Sequence, residues 1–268
     1  LLGSNNLNLN RDIKLKFATD IRTGLRVNVS AGNRWYKFQK IGNYNFAWYP
    51  IAGNKSIISQ EFINSYVKAS FRYTPRFYYL QNENKRVTFV NAGPEYYGNI
   101  EFGLRDLFES NFDYTRVRLG FTYRKVWGAL GRTRFNTEAN AMFGVVPYPL
   151  QTVYVGNQSF IYNTSAYNQM RIFEFVSDRS ISGTFEHHFN GFLFNRVPLI
   201  KKLKWRSIIG SKVIIGTLDS ANYDIIPTDY QGVQISTFKA LNKEPYVEAS
   251  FGIENIFKII RVDAVWRI

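Results

Sequence analysis

The stretch TRVRLGFTYR, residues 115–124, alternates two kinds of side chain that call for different solvents. Val117, Leu119, Phe121 and Tyr123 fall on one parity, Arg116, Arg118, Thr122 and Arg124 on the other. Successive side chains of a β-strand point to opposite faces, so this segment has one apolar and one cationic face. If a protein core receives the aromatic parity, this is a soluble half-buried strand. If lipid receives it, the arginines face an enclosed aqueous space.

The same alternation recurs in both directions along the chain. IKLKFA sets Ile13, Leu15 and Phe17 against Lys14 and Lys16, and LRVNVSA sets Leu25, Val27 and Val29 against Arg26 and Asn28. VKASFRY, NIEFGL, RFNTEANAMF, ISGTFEHHF, WRSIIGSKVIIG, VEASFGIE and RVDAVWRI continue it, and Trp266 closes the apolar parity of the last. Roughly eleven or twelve such segments are expected, with no convincing amphipathic helix. Short links such as KVWGALG and NIFK contrast with long Asn-, Tyr- and Pro-rich ones at 144–168 and 219–245, which is the loop asymmetry of an outer-membrane barrel. One continuous sheet over 1–268 is the expected organisation.

Composition separates the two solvents further. Aromatic residues make up 17% of the 268, more than an ordinary soluble core needs, while apolar residues total 45% and mean hydropathy is only -0.25. Lipid-facing and lumen-facing residues that alternate average to such a value. A helical span needs about 20 mostly apolar residues in a row. The longest uncharged run, 139–170, fails that test because Pro147, Pro149, Gly156 and several Asn and Gln interrupt it. Cysteine is absent, which removes disulfides, thiolate metal sites and cysteine nucleophiles. The opening LLGSNNLNLN has no charged region followed by an apolar one, so it is not a signal peptide, and the chain is expected to be a piece of a longer exported protein. The net charge of +14 is dispersed along strands instead of gathered in one arm, which argues against a nucleic-acid face and for a basic lumen or an anionic membrane surface.

The polar parity carries both signs. Glu101, Glu138, Glu186, His188, Glu248 and Glu254 share it with the arginines, and across the hairpin at 248–267 Glu248 and Glu254 are placed to meet Arg261 and Arg267. Opposed charges of this kind stabilise a strand pair by roughly 0.2–1 kcal/mol. The expected lumen wall is therefore Arg116, Arg118, Arg124, Glu138, Glu186, His188, Glu248, Glu254, Arg261 and Arg267. The lipid-facing set is Val117, Leu119, Phe121, Tyr123 and Trp266. His187 and His188, adjacent on a strand, point to opposite faces and do not form a metal pair. GALGRT lacks the ending of a phosphate loop and reads as a hairpin turn. No nucleophile elbow, acidic dyad or metal-ligand set is present, so neither enzyme activity nor a cofactor is expected. The densest positive cluster, Lys201, Lys202, Lys204 and Arg206, reads as a solvated rim before an anionic-lipid site.

Several longer segments carry a family resemblance. FEFVSDRSISGTFEHHFNGFLFNRVPLIKKLKWRSIIGSKVIIG, residues 173–216, and PYVEASFGIENIFKIIRVDAVWR, residues 245–267, resemble a family of large Bacteroidota outer-membrane proteins with an N-terminal carboxypeptidase-regulatory-like domain and no settled function. More distantly this family resembles the barrel of the BamA/TamA superfamily of outer-membrane assembly factors. In that superfamily a loop of the form PFYERFxxGGxxxxRGF folds into the lumen and pins an arginine on the wall. Here PYPLQTVYVGNQSFIYN stands in that place, with Pro147, Tyr148, Gly156, Asn157, Phe160 and Tyr162 as the inward-loop candidates. The Arg-Gly pair is missing, and Phe160, Ile161 and Tyr162 occupy its position.

The resemblance implies an all-β, antiparallel transmembrane barrel of about 16 strands, of which this chain is an incomplete C-terminal portion. It implies a place in the bacterial outer membrane and a part in assembling or exporting proteins or lipids. Outer-membrane lipid is the expected partner, with client outer-membrane proteins or periplasmic factors besides. The basic lumen parity leaves a second expectation open, an anion-preferring channel or transport barrel.

Overall fold

A computed structural model describes residues 9–37, 47–50, 57–75, 79–82, 85–88, 93–157, 159–171, 174–227, 229–230, 233–234 and 238–268. Most of the opening LLGSNNLNLN, residues 1–8, and Phe173 of the family-like segment lie outside them. Ten strands form one antiparallel sheet in chain order: β1 Leu9–Arg22, β2 Leu25–Lys37, β3 Glu61–Tyr73, β4 Pro94–Gly103, β5 Tyr114–Val126, β6 Arg132–Phe143, β7 Arg179–His188, β8 Arg206–Thr217, β9 Tyr246–Ile256 and β10 Ile260–Arg267. Ten wall strands stand where eleven or twelve segments were expected; the other strand residues form three short ribbons, 79–82 with 85–88, 152–153 with 176–177 and 229–230 with 233–234. The sheet is an open barrel wall, since β1 and β10 do not pair with each other.

Register carries the two-faced pattern from strand to strand. Glu101 of β4 lies opposite Lys68 of β3 and Arg116 of β5, and Arg118 lies opposite Asn99 and Asn140. The shifts fall near the ends of the sheet, between Asp20 and Arg22 and between Ile253 and Ile256. A one-residue slip would exchange the faces, so the long unbroken registers between them fix one polar and one apolar surface. The apolar surface is bare: Leu119 and Trp266 are each 54% exposed, and Ile13, Leu15, Phe17 and Ile181 more so. Val117, Phe121 and Tyr123 share that surface and are half-buried among their own neighbours.

The links sort by end. Residues 23–24, 127–131 and 257–259 make tight turns at one end, joined there by longer links at 74–93 and 189–205. At the other end lie 38–60, 104–113, 144–178 and 218–245. GALGRT forms the expected turn: Trp127 donates its N–H to the Gly131 carbonyl at 2.7 Å. Gly131 has φ +112°, and a Cβ there would fall 1.8 Å from the His188 carbonyl oxygen, so only glycine fits. Lys201 and Lys202 lie on a short exposed helix, α1 Pro198–Leu203, begun by Pro198 and ended by Lys204 in the left-handed region. On the apolar face near the tight-turn end, Phe121 contacts the rings of Tyr96 at 5.1 Å and of Tyr123 and Phe135 at 6.3 Å each. Such an aromatic row marks an interface girdle of transmembrane barrels.

Among the described residues no second sheet covers the wall. The buried apolar residues gather instead at the long-loop end, where Trp48, Phe62, Phe112, Tyr114, Val146 and Tyr148 pack together, and beneath the loop at 144–178. On the polar face the pairing is ionic. Buried Glu101 receives the Tyr114 hydroxyl at 2.8 Å and Arg116 at 3.4 Å, with Lys68 at 3.3 Å. Removing one partner of a buried ion pair costs about 3 kcal/mol or more, because the other charges stay buried. Glu101→Gln is therefore expected to destabilise the folded protein by about 3 kcal/mol in urea unfolding followed by tryptophan fluorescence.

Candidate functional site: a loop held against the polar wall

The link between β6 and β7 is the longest in the molecule and turns back over the polar face. Its base is fixed at the long-loop end. Val146 donates its N–H to Asn222 Oδ1 at 2.9 Å, and Gln151 Nε2 donates to the Val146 carbonyl at 2.8 Å. Pro147 and Tyr148 are buried here, Tyr148 stacked on Phe238 at 4.7 Å. They belong to the cluster at the loop base and not to the wall contact. Residues 152–153 then pair with 176–177, closing a neck from which the rest of the loop extends.

Within that loop the amides make the shape. Asn157 donates from Nδ2 to the Ile161 carbonyl at 2.8 Å and to Asn168 Oδ1 at 2.9 Å, while its Oδ1 accepts from the Ser159 N–H at 3.0 Å. Asn168 Oδ1 also accepts the Asn163 N–H at 2.9 Å. Short polar side chains that bond nearby backbone give a loop its order without regular structure. Gly156 lies against this knot: a Cβ would fall 2.5 Å from the carbonyl oxygens of Met170 and Arg171. Phe160 points away, fully exposed, although it was expected among the inward residues.

Contacts at Glu248, Lys212, Tyr162 and Glu174 fasten the loop to β8, β9 and β10. Buried Glu248 accepts the backbone N–H of Asn168 at 2.9 Å and of Gln169 at 2.7 Å, and the Tyr246 hydroxyl at 2.7 Å. Lys212 donates to the Asn163 carbonyl at 3.0 Å and to that of Ala166. The Tyr162 ring lies 4.5 Å from the Arg261 guanidinium and 5.3 Å from the Lys212 ammonium. Glu174 pairs with Arg267 at 2.8 Å. Hydrogen bonds to charged groups contribute about 1.5–3 kcal/mol each, so Glu248 and Lys212 are the strongest of these anchors. The Tyr162 hydroxyl is pushed up in pKa by burial. Burial also pushes the Glu174 carboxyl up, but the Arg171 N–H and the Arg267 guanidinium outweigh it and hold that group below the ordinary carboxylate value.

These partners differ from those expected across the last hairpin. Glu248 and Arg267 do face each other in register, yet Glu248 is taken by loop amides and Arg267 by Glu174, with Arg267 also over the Tyr246 ring at 4.6 Å. Arg261 does not meet Glu254. It binds Asp263 at 2.7 Å and Glu186 at 3.1 Å, while His188 bridges Glu186 at 2.7 Å and Glu254 at 3.3 Å. The cause is the loop and the register shift in β9, neither of which shows in strand parity. The remaining wall candidates lie on the same face: Arg118 pairs with Glu138 at 3.5 Å, Arg116 with Glu101, and Arg124 is exposed. Lys212, Asp263, Glu174 and Glu101 were not singled out as site residues. Lys212 had a signal, being the main polar mark in an otherwise apolar strand. Glu174 had none. Among the described residues no group of His, Asp and Glu is arranged to hold a metal ion.

Strand order, the two-faced wall and the inward loop together define an antiparallel β-barrel protein. A comparison with solved structures finds the same fold in BamA from Haemophilus ducreyi lacking POTRA domains 1–3, with a TM-score of 0.57 and 10% sequence identity over 97% of this chain and 51% of that one. The chain thus spans about half the length of that protein. The model of the C-terminal domain of a family of unknown function (DUF5686) matches residues 13–224, and the chain belongs to that family. The curated proteins contain no match in sequence.

Two outcomes test the anchors. Glu248→Ala is expected to raise hydrogen exchange at the amides of Asn168 and Gln169 by at least about tenfold, the equivalent of 1.4 kcal/mol, while β7 amides keep their protection. Acid is expected to loosen the loop near residue 174. A lowered carboxyl pKa contributes stability that is complete above the ordinary carboxylate value and is lost as pH falls through the lowered one. Protection of the residue-174 amide, relative to its intrinsic exchange rate at each pH, should therefore fall across that acid range in the native protein and stay flat in Glu174→Gln.

Proposed function

We propose that the chain is the barrel wall of a bacterial outer-membrane protein that works in building that membrane, by assembling or exporting protein or lipid. The observation that carries this is a long loop folded onto the polar wall and fastened there through Glu248, Lys212 and Tyr162, on a fold like that of BamA. The bare apolar face with its aromatic row supports a place in lipid, because a surface of this extent would drive association in water. The assembly-factor resemblance implies an arginine on the loop pinned to the wall. Here the polarity is reversed, with an aromatic ring on the loop and the cations, Arg261 and Lys212, on the wall. In this proposal the ring does the arginine's work of holding the loop in one place.

Depleting the parent protein is the test. Outer-membrane protein levels or lipid distribution should change, and a copy carrying Tyr162→Ala with Glu248→Ala should restore them poorly. Unchanged protein and lipid profiles on depletion would contradict the proposal. A second reading, an anion-preferring channel, draws on the excess of Lys and Arg over Asp and Glu. It requires reconstituted protein to conduct in planar bilayers with anion selectivity, and a silent barrel would exclude it.

A further inference from the structure

Across neighbouring wall strands, Lys and Arg face Asp and Glu wherever two such residues meet in register, with two exceptions among the described residues. Arg26 of β2 lies opposite Arg72 of β3, and Arg124 of β5 lies opposite Arg134 of β6. Elsewhere the signs are matched, as for Asp12 with Arg34, Lys68 with Glu101, Glu101 with Arg116, Arg206 with Glu254 and Lys212 with Glu248. Like charges directly opposed destabilise a strand pair. Both exceptions are arginine pairs, and both lie at the tight-turn end, beside the links 23–24 and 127–131.

Local carboxylates leave both pairs short of negative charge. Arg26 meets Asp20 at 2.8 Å and Arg72 meets Glu95 at 3.7 Å, but these arginine side chains are 64% and 66% exposed, and such ion pairs contribute little. Among the described residues Arg124 and Arg134 form no ion pair. Arg134 has Glu186 across from it in β7, and that carboxylate already serves His188 and Arg261. A cavity of about 840 Å³ opens along the first pair, its lining including four cations, Lys16, Arg22, Arg26 and Arg72, against one carboxylate, Asp20, with Tyr97 and Asn99 beside them. The inward loop has its wall anchors on β8–β10 and leaves this part of the polar face open.

We propose that these arginine pairs bind a phosphate-bearing ligand on the polar face. A carboxylate offers two oxygens and is satisfied by one guanidinium fork, as Asp263 is by Arg261 at 2.7 and 2.8 Å. A phosphate has further oxygens and takes two forks at once, which is the stoichiometry of an opposed arginine pair. The inference rests on the register of the wall and stands or falls apart from the proposed role in membrane building.

Calorimetric titration of the folded protein in detergent, under low salt, tests it with four probes: inorganic phosphate, dihexanoyl phosphatidic acid, dihexanoyl phosphatidylcholine and hexaglutamate. Phosphate and phosphatidic acid should bind, and phosphatidylcholine should not. Phosphatidic acid tighter than inorganic phosphate by tenfold or more assigns the site to a lipid headgroup; equal affinities assign it to free phosphate. Arg72→Gln with Arg124→Gln should weaken binding at least tenfold, Arg72→Lys with Arg124→Lys less, and Lys202→Gln not at all. In phosphate-free buffer Arg124→Gln should raise the melting temperature, since it removes a like-charged pair, which also shows that the variant folds. Absence of phosphate binding, binding indifferent to both Gln substitutions, tighter binding of hexaglutamate, or a lowered melting temperature for Arg124→Gln would each overturn the proposal.

Discussion

The whole architecture depends on the two-residue period of the strand. Each wall strand shows one set of side chains to either side, and among the described residues no second sheet covers the apolar set. Most of the charges then collect on the other face, where the buried and half-buried ones have to neutralise one another. The ionic knots around Glu101, Glu186 and Glu248 follow from that confinement. An arginine on the apolar face at mid-bilayer would cost about 2–4 kcal/mol, so the parity of TRVRLGFTYR is strongly specified once lipid is the solvent.

Confinement also explains how a loop with so little regular structure stays in place. Its backbone amides and carbonyls would be unsatisfied against an apolar surface. Against a polar wall they find Glu248 and Lys212, whose remaining hydrogen-bonding capacity they take up. Loop and wall therefore complete each other's hydrogen bonding. The reversed placement of ring and cation at Tyr162 and Arg261 needs no arginine in the loop, because a cation over an aromatic face is attractive whichever element supplies it.

Much of the wall is legible in the sequence because its code is local. Every segment picked out by alternation, from IKLKFA to RVDAVWRI, falls within one of the ten strands or overruns it by a residue or two, and GALGRT is the turn it promised. The position of the inward loop is legible too, through PYPLQTVYVGNQSFIYN. Its partners are not. Strand parity pairs Glu248 with Arg267, but competition from the amides of Asn168 and Gln169 is a tertiary event with no trace in the spacing of charged residues. Phe160 and Tyr162 are equivalent by sequence position and opposite in fate, one fully exposed and one against two cations, because the turn between them is set by Asn157 and Asn168. The two arginine pairs likewise need the register between strands, across a tight turn for Arg124 and Arg134 and across the link 38–60 for Arg26 and Arg72.

The absence of cysteine allows the central claim to be measured directly. Single cysteines placed at positions 115–124, in protein reconstituted into lipid vesicles, report on the two faces through their reactivity with a charged, membrane-impermeant maleimide. Cysteines at 116, 118 and 122 should react and those at 117, 119, 121 and 123 should be protected, the pattern disappearing on denaturation. Uniform reactivity along the strand, or protection on the arginine parity, would contradict a wall with lipid on one side and an aqueous space on the other.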